Sequence, residues 1–283
     1  MTEDIPQNPT TQPAAPAALS SGSEAVTSSC IAAFFDVDNT IIRGASAFHL
    51  AKALYRRGFF RTGDLIAFGI KQARYLLFGE NSQDIDQIRS RALSLMKGHA
   101  VAEVVAVGEQ VYDQVLANRI YPGTKKLLDQ HIAAGHQVWL VTATPFEIGS
   151  LIARRLGATG ALATNAESEG GFYTGRLLGD MMHGKTKALG VQGLAEEHQL
   201  DLSQSYAYGD SMNDVPLLNT VGNPCAINPD SRLRKHSQEV GWPTRDFRGK
   251  RRVAKRGITT ASWTGGIWVL GLIIKRLRAK RHR

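Results

Sequence analysis

Residues 32–42, Ala32-Ala-Phe-Phe-Asp36-Val-Asp38-Asn-Thr40-Ile-Ile42, decide how the rest of the chain is read. The stretch begins as an unbroken apolar run, as in a strand buried on both faces. Two carboxylates then stand two apart where that strand should end. Alternate side chains of a strand share a face, so the spacing predicts that Asp36 and Asp38 converge on one spot. Left alone at the rim of an apolar strand they repel each other. Around a divalent cation and a phosphoryl group they are stabilised. A lone Asp-x-Asp also fits a solvated turn, so its meaning depends on what the remaining chain supplies.

Working outward, the pattern changes after the first strand. From 45 to about 120 apolar residues fall at helical spacing (Phe48, Leu50, Ala51, Leu54 and Tyr55, then Leu65 to Leu77), with further helices expected over Ile85–Met96 and Val101–Ala117. Strands and helices then alternate. A helix over Thr124–Ala134 leads to a buried strand at Gln137–Thr142, and Pro145 opens a helix that closes at Gly157. A short strand at Ala161–Thr164 and a hairpin around Glu169-Gly-Gly171 follow. A helix over Thr186–His198 precedes strands at Ser205–Tyr208 and Cys225–Ile227.

This alternation predicts an α/β fold with a doubly wound, Rossmann-like sheet and its site at the strand C-termini. The expected organisation is a core of 30–44 and 121–247, with a small helical cap, 45–120, inserted after the first strand. A Pro/Ala/Ser/Thr-rich lead, 1–29, is expected to be disordered, and 248–283 forms a tail.

Four pieces fall where such a sheet puts its site: Asp36-x-Asp38-x-Thr40, Thr142 after Val-Trp-Leu-Val, a lysine at 185 or 187, and Gly209-Asp210-Ser-Met-Asn213-Asp214. In this order and spacing, over roughly residues 30–240, the chain resembles the haloacid dehalogenase superfamily of phosphatases, in its phosphoserine phosphatase branch. The resemblance implies hydrolysis of a phosphomonoester through an aspartyl-phosphate. Asp36 is the implied nucleophile and Asp38 the acid that protonates the leaving alkoxide and then takes a proton from water. The implied cofactor is Mg²⁺, held by Asp36, the Asp38 backbone carbonyl and Asp210. Thr142 and the Ala143 N–H would bind a phosphate oxygen, and Asn213 and Asp214 would support metal and lysine.

Both Lys185 and Lys187 are available. The family's lysine precedes a Leu/Ile-Ala pair by seven residues, which Lys187 satisfies through Leu194-Ala195. In the insertion, Arg91 matches the arginine that holds a substrate carboxylate, although a surface arginine on a helix reads almost the same. One departure matters. The family's phosphoserine enzymes carry a Glu nine residues after the nucleophile, to receive the substrate amine, and here that position is Ala45.

Composition narrows the alternatives. The net charge of +9 is uneven, because 12 of the 34 Lys/Arg and none of the 25 Asp/Glu lie from Arg248 onward, leaving a body of net −3. Nucleic-acid binding would rest on the tail alone and is not expected. Cys30 and Cys225 lack metal-ligand spacing and suit a reducing, cytoplasmic setting. The histidines show no shared metal spacing either. Cap aromatics such as Phe59, Phe60, Phe68, Tyr75 and Phe78 read as core or as an apolar lining.

Within the tail, Gly257–Ile274 is 18 residues without a charge, flanked by basic clusters and carrying Trp263 and Trp268. That pattern suits attachment to an anionic membrane surface. The expected substrate is therefore a small phosphorylated metabolite, phosphoserine by default. The alternatives are a lipid phosphomonoester (lysophosphatidate or phosphatidylglycerophosphate) and a non-catalytic, membrane-attached interaction protein.

Overall fold

The computed structural model describes residues 30–59 and 96–248. The expected lead, Arg91 with the middle of the insertion, and the basic tail beyond Arg248 lie outside the described residues. Among the described residues no helix is long and apolar enough to cross a membrane.

The apolar run becomes β1 (Ala32–Asp36), every residue of it buried. The chain then enters α1 (Ser46–Arg56) and, after the undescribed stretch, returns through α2 (Val101–Val111). A π-helical turn (Tyr112–Leu116) and a 3₁₀ turn (Ala117–Arg119) lead to α3 (Pro122–Ala133), with its proline in the first turn. Then come β2 (Gln137–Pro145), α4 (Phe146–Leu156) and β3 (Gly160–Thr164). The hairpin β4 (Ala166–Glu169) and β5 (Phe172–Leu177) is followed by α5 (Lys185–His198) and β6 (Tyr206–Gly209). The chain continues through α6 (Val215–Leu218), β7 (Asn223–Ile227), α7 (Ser231–Val240) and β8 (Thr244–Arg245).

Six strands form one sheet in the order β3-β2-β1-β6-β7-β8, and β4 and β5 pair separately. All pairings within the large sheet are parallel. Its two faces are covered by separate cores, divided by the alternation of β1. Ala33, Phe35 and Val37 join a cluster with residues of α2, α3 and α4, whereas Ala32 and Phe34 join Val191 and Leu194 of α5 and Leu217 and Leu218 of α6. On the first face a histidine is enclosed. His131 of α3 bonds the Tyr208 hydroxyl at 2.8 Å and His136 at 2.9 Å, and burial pushes its pKa down to about 4.

The hairpin meets the chain returning from the insertion, because Tyr173 exchanges backbone bonds with Gly98 (2.8 Å) and His99 (3.0 Å). The end of the described chain folds back beside the start of the core. Phe247 packs so closely on Gly123 that a Cβ there would lie 2.2 Å from the ring. Its backbone N–H donates to Asn228 Oδ1 at 2.7 Å, and Asn228 Nδ2 donates to the Asn39 carbonyl at 2.9 Å.

Candidate active site

β1 lies beside β6 where the order of the sheet reverses, the crevice in which open α/β sheets bind ligands. The register sets what arrives there. Asp36 pairs with Val141 and Phe35 with Tyr208, so Thr142 and Asp210 come just beyond the level of Asp36 on either side. By alternation Asp36 shares the face of Phe34, the face covered by α5. Lys187, on the first turn of that helix, reaches it there.

Lys187 is 3% exposed, and its ammonium bonds Asp36 Oδ1 at 2.5 Å and Asp214 Oδ1 at 2.7 Å. Lys185, at the start of the same helix, is exposed. Burial opposes the lysine's charge, but the Asp36 and Asp214 carboxylates outweigh it and hold its pKa above the usual lysine value. The other oxygen of Asp214 accepts from the backbone N–H groups of Asp210 and Ser211, each at 3.2 Å, and from the Ser211 hydroxyl at 3.1 Å. Asp214 can come this close because residue 209 is glycine. A Cβ on Gly209 would stand 2.5 Å from the Asp214 Cβ and 2.9 Å from its carboxyl.

Asp38 reaches the site by a different route from strand alternation. β1 ends at Asp36, and the Val37 carbonyl accepts from both Ile41 and Ile42 N–H at 2.9 Å, curling the chain into a tight turn. Asn39 takes the left-handed conformation at φ 61°, which asparagine tolerates better than most residues. The turn presents Asp38 to the start of α1. There the Ser46 N–H donates to Asp38 Oδ1 at 2.8 Å, and Ala45, the residue preceding the helix, offers no side-chain cap. The carboxylate thus meets an otherwise unpaired helix N–H. Burial nevertheless holds the Asp38 pKa above the ordinary carboxylate value, with Ser46 opposing.

Three buried hydroxyls continue from there. Ser46 Oγ lies 3.1 Å from Thr144 Oγ1, which lies 2.7 Å from Thr142 Oγ1. Ala143 between the threonines has its carbonyl bonded by the Thr164 hydroxyl at 2.9 Å. Ser46 and Thr144 stand out only in the structure, because the register of β2 against β3 shifts between Val141 and Pro145 and strand alternation does not carry across such an irregularity. Asn213 sits exposed in the 3₁₀ turn Met212–Asp214, and among the described residues no hydrogen bond ties it to Lys187.

One oxygen from each of Asp36, Asp210 and Asp214 lies within 4.8 Å of the others. Against these stands Lys187, already bonded to two of them. Burial pushes the Asp36 carboxyl up to about 7, and burial together with Asp36 and Asp214 pushes Asp210 up to about 8. The cluster is therefore short of positive charge, and its donors are hard oxygens, which suits a Mg²⁺ ion. Asp36 and Asp210 would hold it, because Asp214 already spends both oxygens on Lys187 and the 210–211 backbone.

Similarity to known proteins identifies the family. The model of the haloacid dehalogenase-like hydrolases matches residues 33–219. The chain is 48% identical over 255 residues to "Phosphoserine phosphatase SerB1" of Mycobacterium tuberculosis, covering 90% of this chain and 83% of that one. It is 29% identical to the "Histidinol-phosphatase" of Neisseria meningitidis, over 76% of this chain and 98% of that one. A solved structure of a protein of unknown function from Bordetella pertussis superposes with a TM-score of 0.68 at 31% identity, covering 77% of this chain and 99% of that one. By its fold, the order of its motifs and these matches, the chain belongs to the haloacid dehalogenase-like hydrolases.

Proposed function

We propose that this chain hydrolyses a small phosphomonoester, phosphoserine foremost, through an aspartyl-phosphate on Asp36. The observation that carries the reading is the buried Asp36–Lys187–Asp214 cluster beside Asp210 at the switch point of the sheet. Asp36 attacks phosphorus, and Lys187 offsets the charge that nucleophile and phosphoryl oxygens share. Asp38 gives its proton to the leaving oxygen and then accepts one from the water that cleaves the aspartyl ester. Thr142 and the Ala143 N–H bind a phosphate oxygen, Asp214 positions Lys187, and Arg91 remains the proposed partner for a substrate carboxylate. A bound Mg²⁺ supplies Lewis-acid charge at the phosphoryl oxygens.

The curated relative named a phosphoserine phosphatase supports phosphoserine. The one named a histidinol-phosphatase and the alanine at position 45 make the leaving alcohol the quantity to measure. The test is phosphate release with Mg²⁺ from phosphoserine, histidinol phosphate and other alkyl phosphomonoesters. Turnover of phosphoserine well above the rest, lost in Asp36→Asn, is expected. Turnover that persists in pure Asp36→Asn protein refutes the nucleophile. A clear preference for another ester refutes the substrate.

A further inference from the structure

We propose that Ser46, held by Thr144, is the positioning residue that aims Asp38 at the leaving oxygen. This rests on the acid role proposed for Asp38 and adds the residues that make that role possible. A carboxyl on a turn rotates about its own bonds, and a general acid works only within hydrogen-bond reach of the atom it protonates. Something must therefore hold it. Among the described residues the Ser46 backbone N–H grips the Asp38 carboxyl, donating to Oδ1 at 2.8 Å, so where the backbone of Ser46 sits decides where that carboxyl points.

Ser46 in turn is anchored. It is fully buried and its hydroxyl lies 3.1 Å from Thr144 Oγ1, itself 1% exposed. Thr144 belongs to β2 and is locked to Thr142 twice, hydroxyl to hydroxyl at 2.7 Å and by its N–H to Thr142 Oγ1 at 3.2 Å. The Ser46–Thr144 contact thus pins the first residue of α1 to the C-terminal end of β2, which carries the proposed phosphate-binding hydroxyl. Acid and phosphate pocket are held in one frame. Two polar side chains buried this completely and bonded to each other have no other evident task, since a Ser/Thr pair contributes little apolar packing.

The leaving group supplies the discriminating test. An alkyl phosphate expels an alkoxide that must be protonated as the P–O bond breaks, whereas p-nitrophenyl phosphate expels a stable phenolate without help. The full-length protein with Mg²⁺ is assayed on phosphoserine and on p-nitrophenyl phosphate as wild type, Ser46→Ala, Thr144→Val, Ser46→Thr and Thr144→Ser. Misplacing a catalytic group by about 1 Å costs about a hundredfold in rate. Ser46→Ala and Thr144→Val should each lose about that factor on phosphoserine and much less on the aryl ester, and the two hydroxyl-conserving variants should recover most of the rate. Equal losses on both esters in Ser46→Ala overturn the positioning role. Equal losses in Thr144→Val alone confine Thr144 to the phosphate pocket and overturn the link. The two hydroxyl deletions break one contact from opposite sides, so a misfolded variant leaves the other to decide. A wild type that releases phosphate from neither ester overturns the proposed function and this inference together; a working wild type with unaffected variants overturns only this one.

Discussion

Replacing Lys187 with Met removes the buried cation from among three carboxylates while keeping the volume of its stem. At the separations seen here, 2.5 Å to Asp36 and 2.7 Å to Asp214, each attraction is about 6 kcal/mol at an effective dielectric of about 20. Much of that gross term is offset by the cost of burying the ammonium. The net loss on breaking such a group from one side is about 3–5 kcal/mol, which for a chain of this size lowers the melting temperature by about 10 °C.

The pH dependence is more telling than the size. Asp36 and Asp210 have folded-state pKa values, about 7 and about 8, raised above the unfolded carboxylate value of 3.8. The folded state therefore binds more protons between these limits, and their contribution to stability falls as pH rises through the folded values. Without Lys187 the carboxylates cling to protons harder still. Thermal melts of both proteins in EDTA from pH 5 to pH 8.5 should show a small gap at the acid end that widens toward the alkaline end. Adding Mg²⁺ should close part of it. A gap that is constant across pH, or no gap at pH 8, refutes the charge accounting on which the metal site rests.

Other perturbations test other joints. Gly209→Ala puts a methyl where Asp214 stands, so Lys187 should be displaced, turnover should drop by at least about tenfold, and the melting temperature should fall as the buried ion pairs are disturbed. Persistent full activity in steady-state assays would mean that Asp214 has room to move. His131 is held neutral, with its pKa pushed down to about 4 against 6.5 in the unfolded chain. The unfolded state then binds the extra proton, so stability is complete above about pH 6.5 and falls by about 3 kcal/mol toward pH 4. His131→Phe should flatten that acid slope in a series of pH-dependent melts, and an unchanged slope would locate the titrating group elsewhere.

The elements legible in the sequence were those whose side chains report burial. β1, β2 and the helix after Pro145 carry continuous or periodic apolar residues, and each was placed within a few residues of its observed bounds. α7 was missed because it is nearly all polar: of Ser231–Val240 only Leu233 and Ser237 are buried, and the helix is started instead by Asp230, whose carboxylate accepts from the Leu233 N–H at 2.7 Å. β8 was missed because two exposed residues make no pattern. Within the site, residue types at strand ends pointed to Asp36, Thr142 and Asp210. The approach of Asp38 did not come from strand alternation; it comes through a turn stabilised by a left-handed Asn39. The Ser46–Thr144 contact joins residues 98 apart, and no local rule reports a contact across that separation.

The seat of Phe247 on Gly123 bears on where this polypeptide can be shortened. A stop codon at the start of the basic segment would be a natural way to ask what the last residues do. Placed before residue 247, it would also strip the ring from the face of Gly123 and leave the Asn228 side-chain oxygen Oδ1 without its donor. Asn228 would then hold the Asn39 carbonyl less firmly, and Asn39 is the hinge of the turn that delivers Asp38. Lost activity in such a truncation would report damage to the turn that carries Asp38 and would be mistaken for a requirement for the tail. Cutting after Arg248, which bonds Asp246 and the Pro229 carbonyl, keeps the whole clasp and makes the comparison clean.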